Sequence, residues 1–138
     1  MQAERVFPIM GTTAHVVVVG ECAESLVEYG AARLGALERK WSRFLPTSEI
    51  SRANARAGWD VVVSPETLLL VGCSVAAWAH TGGAFDPTVL AAVRAAGYDR
   101  DFASVAEAAA SLQPAAPRRT PGCAGIVSDE RNGTIMLP

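Results

Sequence analysis

The sequence predicts an α+β fold, an antiparallel sheet with helices packed on it, from three observations. A β-branched run, Val16-Val17-Val18-Val19, lies between glycines and reads as a strand. Long segments with apolar residues at helical spacing follow it. Near the end, Glu130-Arg131-Asn132-Gly133 separates two short apolar segments, and its Asn-Gly is a strong hairpin signal. The order strand, strand, helix, strand, helix, helix, hairpin places the chain in the α+β class.

The elements follow in order. A short strand is expected over 5–9, broken by Pro8, with a turn or bulge at Met10-Gly11-Thr12-Thr13 before a strand over 12–20. Residues 21–44 read as one long helix. Gly30, Leu34, Leu37, Trp41 and Phe44 recur at spacings of four, three, four and three and share a face. Glu28, Arg39 and Lys40 lie opposite, and Pro46 ends the helix. Thr47 or Ser48 caps a short helix through Ile50 and Ala53. A short strand is expected over 59–63. Ser64-Pro65-Glu66 supplies an N-cap, a proline at the first helical position and an acid in the first turn, for a helix to about His80. Val71, Val75 and Trp78 share one of its faces, with Leu68 nearby. Further helices are expected over 87–96, ending at Gly97, and over 102–112. A proline-rich surface loop covers 114–122.

The totals exclude several functions. With 138 residues, half of them apolar and 19% charged, the chain has the composition of one globular domain rather than a disordered segment. A net charge of -2 and the lack of any Lys/Arg stripe argue against nucleic acid as a partner. No basic segment followed by an apolar one opens the chain, so a cytoplasmic location is expected. Cys22, Cys73 and Cys123 are odd in number and widely spaced, and fit neither a zinc pattern nor a disulfide framework. His15 reads as a strand residue. His80 reads as a helix-end cation. No nucleophile elbow, phosphate-binding loop or zinc-protease motif is present.

Three segments carry the functional signal. The first is Phe7-Pro8-Ile9-Met10-Gly11-Thr12-Thr13. The second is Trp41-Ser42-Arg43-Phe44-Leu45-Pro46-Thr47-Ser48-Glu49-Ile50-Ser51-Arg52-Ala53-Asn54. The third opens at Val63-Ser64-Pro65-Glu66 and leads into Thr81-Gly82-Gly83-Ala84-Phe85-Asp86-Pro87-Thr88-Val89. In this order, and with the terminal hairpin over 126–137, they resemble the amino-terminal half of the ApbE family, the FAD:protein FMN transferases. The resemblance covers nearly the whole chain, 1–138, as the amino-terminal portion of such a domain. It implies a truncated, T-fold-like α+β architecture. It also implies an activity in which FAD is cleaved at its pyrophosphate, FMN passes to a threonine of an acceptor protein, and AMP is released with the help of Mg²⁺.

By resemblance, Met10 packs against FAD, Phe44 contacts it where the family commonly has tyrosine, and Ala84, Phe85 and Asp86 form the FAD-binding loop. Phenylalanine at 44 keeps a stacking face and lacks the hydroxyl. The residues themselves leave simpler readings open. Met10 can fill core space, Phe44 can continue the helix's apolar face, and Asp86 can cap the following helix.

The family's Asp-Leu-Gly-Gly-x-Ala-Lys-Gly-like segment and its later acidic segment have no counterpart here. The Mg²⁺ ligands are therefore expected outside this chain, and the chain alone is expected to be inactive. The alternative is a catalytically inactive flavin-binding or interaction module; a third reading is a scaffold with no ligand. Apolar surface left uncovered is expected to drive self-association or recruit a partner chain.

Overall fold

A computed structural model describes residues 1–98 and 120–138. The expected helix over 102–112 and most of the loop over 114–122 lie outside them. Strands β1 (Gln2–Ile9) and β2 (Thr12–Val19) form an antiparallel hairpin. Helices α1 (Ala23–Trp41) and α2 (Glu49–Ala55), strand β3 (Val61–Val62), helices α3 (Pro65–His80) and α4 (Leu90–Ala95), and strands β4 (Val127–Asp129) and β5 (Thr134–Met136) follow. The class is α+β, as expected. Among the described residues the strands make two antiparallel sheets, β1–β2 and β3–β5–β4. The second sheet joins Val61 to Ile135 across most of the sequence, a pairing with no local signal.

Pro8 does not break β1. Ile9 pairs with Thr12 across a two-residue turn, and the Met1 carbonyl accepts from Gly20 N–H at 2.9 Å. That phase puts odd-numbered β1 residues in the hydrogen-bonded pairs and Pro8 in an unbonded one. Met10 and Gly11, at φ 50° and 72°, make the turn, with both central residues left-handed as tight hairpins require.

Helix α1 covers one hairpin face. Ala23, Val27 and Ala31 are buried one turn apart, with Ile9 beneath and Ala14, Val16 and Val18 facing inward. Gly30 permits the approach: a Cβ there would stand 3.4 Å from Val16 Cγ1. The other face of the hairpin leaves Val6, Val17 and Val19 exposed around a Glu4–His15 pair at 2.9 Å.

The helix ends at Trp41 because Ser42 turns extended, at ψ 121°. This corrects the helical reading of 42–44: Phe44 lies past the helix and is exposed. Lys40 is likewise not on an outer face. Its ammonium and the Arg33 guanidinium each reach Glu66 of α3 at 2.9 Å. Their hydrogen bonds, Lys40 foremost, hold the Glu66 carboxyl at about 2, against an ordinary 4.5.

The second core gathers Ala53, Val61, Val63, Val71 and Ile135, with Leu68, Ile126 and Leu137 packed against it. The β4–β5 connection is the four-residue loop 130–133, between the paired Asp129 and Thr134. Asp129 takes Arg131 N–H and Asn132 N–H at 2.9 and 3.1 Å and so winds the loop, while Gly133 at φ 65° closes it. No helix among the described residues is long and apolar enough to cross a membrane.

Candidate functional site

The β1–β2 turn reaches over the end of α1. Met10 N–H donates to Glu38 Oε1 at 2.7 Å, which ties the turn to the helix. Glu38 lies three residues before Trp41 and shares its face. Beyond the helix end, the Arg43 guanidinium lies 4.1 Å from the Phe44 ring centroid and donates to the Tyr98 carbonyl at 2.7 Å. The cation thus clamps one face of the ring. Together Met10, Gly11, Glu38, Trp41, Arg43 and Phe44 line a groove of about 500 Å³. Met10 is 51% exposed and Phe44 43%, so neither is core filling.

The Gly-Gly loop is built first as a helix end. Gly83 N–H reaches the Trp78 carbonyl at 2.9 Å and Gly82 N–H the Ala79 carbonyl at 3.2 Å, with Gly82 at φ 59°. That is a Schellman motif. Phe85 N–H then donates to the Thr81 hydroxyl at 3.0 Å. Asp86 Oδ1 accepts from Thr88 N–H at 2.8 Å and from Thr88 Oγ1 at 2.6 Å, an Asx turn that precedes α4 rather than its N-cap. The Thr88 hydroxyl, then its N–H, then the Thr120 hydroxyl hold the Asp86 carboxyl below the usual carboxylate range, against partial burial. Thr88 Oγ1 in turn accepts from Gly122 N–H at 3.0 Å. Burial, and then the Asp86 charge, push the nearby Cys123 thiol up.

The structure therefore brings Met10 and Phe44 together on one groove, and 84–86 are not among the residues that line it. Ala84 and Phe85 are exposed, and the next residues, Pro87 and Thr88, line a separate apolar cavity of about 290 Å³. Trp41 lines both spaces and stands between them. Sequence reasoning placed Trp41 on the helix's apolar face and missed it as a wall. It also missed Glu38 and Arg43. Their signals were the i, i+3 spacing of Glu38 to Trp41 and the Arg-aromatic pair at 43–44.

Trp41 is held by a junction of three helix ends. Its indole N–H donates to Thr67 Oγ1 at 3.1 Å, and the Thr67 hydroxyl donates to Glu49 Oε2 in a short hydrogen bond. The same oxygen accepts from Ser64 N–H at 3.0 Å and Ser64 Oγ at 2.9 Å. Burial raises the Glu49 carboxyl, but the hydrogen bonds from Thr67 and Ser64 and the Lys40 charge outweigh it, and it stays low.

His15 and His80 lie outside both spaces: His15 on the open hairpin face, His80 bonded through Nδ1 to the Ala76 carbonyl at 2.7 Å. Among the described residues no three His, Cys, Asp or Glu side chains converge as cation ligands. That donor set does not fit a resident Mg²⁺.

No curated protein matches the chain significantly. Among solved structures it is similar to the ApbE protein of Thermotoga maritima (TM-score 0.78) and to the flavinyl transferase ApbE of Pseudomonas stutzeri in its apo form (TM-score 0.72). Identity is 21% to each, and 99% of this chain is covered, so these two matches establish the fold. The chain spans 45% and 46% of their respective lengths. The ApbE family profile matches residues 10–134, from the groove's methionine to the start of the last strand. The chain belongs to the ApbE family.

Proposed function

We propose that this chain supplies part of the flavin pocket of an FAD:protein FMN transferase, with Met10, Phe44 and Trp41 as its aromatic and thioether wall. The observation that carries this reading is the backbone of Met10. A side-chain-bearing residue in the left-handed region is disfavoured by roughly 1–2 kcal/mol, and asparagine or glycine suits the position better. Methionine there, exposed and lining a groove opposite a phenylalanine, is suited to a ligand rather than to the turn. A thioether and a clamped ring offer the soft, flat contacts that an isoalloxazine or adenine ring takes.

Ala84, Phe85 and Asp86 do not line this groove, and their place on the same ligand rests on the family resemblance of their loop alone. In the complete reaction the acceptor threonine's oxygen forms a bond to the FMN phosphorus. The pyrophosphate P–O bond to AMP breaks, AMP leaves, and the threonine proton passes to a base. The Mg²⁺ that would neutralise the pyrophosphate is assigned to ligands in the part of the family's length that this chain does not span.

The second reading is a flavin-binding module without catalysis. Phe44 favours it, because the ring stacks but offers no hydroxyl to the ligand. Incubation with FAD, Mg²⁺ and a threonine-bearing acceptor separates the two. Transfer of FMN when the remainder of a family member is supplied in trans supports the transferase. Flavin binding with no transfer under those conditions supports the module.

A further inference from the structure

Among the described residues Trp41 alone lines both the groove and the neighbouring cavity, and its orientation is set at a distance. Thr67 is wholly buried. Its hydroxyl carries one proton, and an ionised Glu49 can only accept. The proton therefore points to Glu49, which leaves a Thr67 lone pair for the Trp41 indole N–H. Glu49 itself is fixed by Ser64 N–H and Oγ, at the N-terminal ends of both α2 and α3, where a negative charge is favoured. The relay thus has one direction, from Glu49 through Thr67 to Trp41, and it spans α2, α3 and the last residue of α1.

We propose that Thr67, oriented by Glu49, is a positioning residue that fixes the Trp41 indole as the shared wall of the groove and the neighbouring cavity. This rests on the flavin reading only for its consequence, tighter FAD binding; the orientation itself is a property of the chain alone. A side chain that swings out of place narrows one space and widens the other, so a ligand meeting Trp41 meets a wall preset before it arrives.

The test uses Thr67→Val, which keeps the shape and removes the hydroxyl, and Thr67→Ser, which restores it. Thr67→Ala replaces the valine variant if that does not fold. The first readout is the Trp41 indole N–H resonance and its exchange rate, assigned with Trp41→Phe. Thr67→Val is expected to shift the resonance and speed exchange, with Thr67→Ser close to wild type. An unchanged resonance in a folded Thr67→Val, or a serine variant that behaves as valine does, overturns the relay.

The second readout is FAD affinity. Thr67→Val is expected to weaken it about fivefold, the effect of one hydrogen bond, and to add nothing in a Trp41→Phe background. Additive losses overturn the positioning role. Failure of the wild-type chain to bind FAD overturns the flavin reading and the affinity consequence, while the indole resonance still decides the relay.

Discussion

Met10 and Asp86 make opposite cases at the scale of single residues. Met10 sits where its backbone is disfavoured, and its side chain faces a groove. Met10→Asn is therefore expected to stabilise the turn by about 1 kcal/mol, read as a rise in thermal midpoint, while FAD binding weakens. A variant that loses stability would contradict the strain argument. Asp86 sits in a loop whose acceptors already serve the fold. Asp86→Ala removes two bonds to Thr88 and so loosens the connection from Thr88 to Gly122. The residue pattern Gly-Gly-Ala-Phe-Asp could not separate these roles, because a Schellman end followed by an Asx turn and a ligand loop use the same residue types. Phe44 was misplaced for a related reason. Apolar spacing continues through the groove wall just as it would through a helix face, and only the extended Ser42 backbone divides the two.

At the scale of elements, individual packing contacts have measurable consequences. Gly30 in α1 faces Val16 in β2 at a separation that admits a methyl group with a small shift. Gly30→Ala gains helix propensity of about 0.5–1 kcal/mol and should be close to neutral. Gly30→Leu should cost about 1–3 kcal/mol through overpacking, measured by denaturant unfolding. Ile135, fully buried in the second core, is expected to cost about 2–5 kcal/mol when cut to alanine. Besides the Trp41–Thr67 hydrogen bond, α1 and α3 are joined by ion pairs to Glu66. Glu66 has a depressed carboxyl in the folded chain, so its stabilisation is complete above its ordinary 4.5 and fades as pH falls toward about 2. Glu66 is partly exposed, so the effect is small and salt-sensitive. Glu66→Gln should flatten the stability profile in that window and leave the profile above it unchanged in shape.

These elements were legible where local chemistry marks their ends. Ser64-Pro65-Glu66 starts α3 and Gly82-Gly83 stops it, and both boundaries stand where the sequence put them. Ser48 caps α2 by accepting from Ser51 N–H at 3.0 Å. The split into two sheets was not legible, because β3 and β5 pair across more than seventy residues and short strands carry no register of their own.

The whole molecule leaves the outer face of its first hairpin open, with Val6, Val17 and Val19 in a row broken only by the Glu4–His15 pair. Such a two-stranded face is a ready surface for a second copy. Concentration-dependent association is expected in light scattering and should weaken in Val17→Lys; a monomer at high concentration would contradict it. On the opposite side the same hairpin is anchored to α1, and its turn delivers Met10 to the helix end where Trp41 and Phe44 stand. Sheet, helix and turn thus place the groove before any ligand arrives. The most direct test is a titration of FAD against the folded chain, followed by flavin fluorescence, with Met10→Asn and Phe44→Ala alongside. Saturable binding that weakens in both variants, with their folds intact, is the predicted result. Binding that is absent, or identical in all three chains, would contradict the assignment of this groove to a flavin.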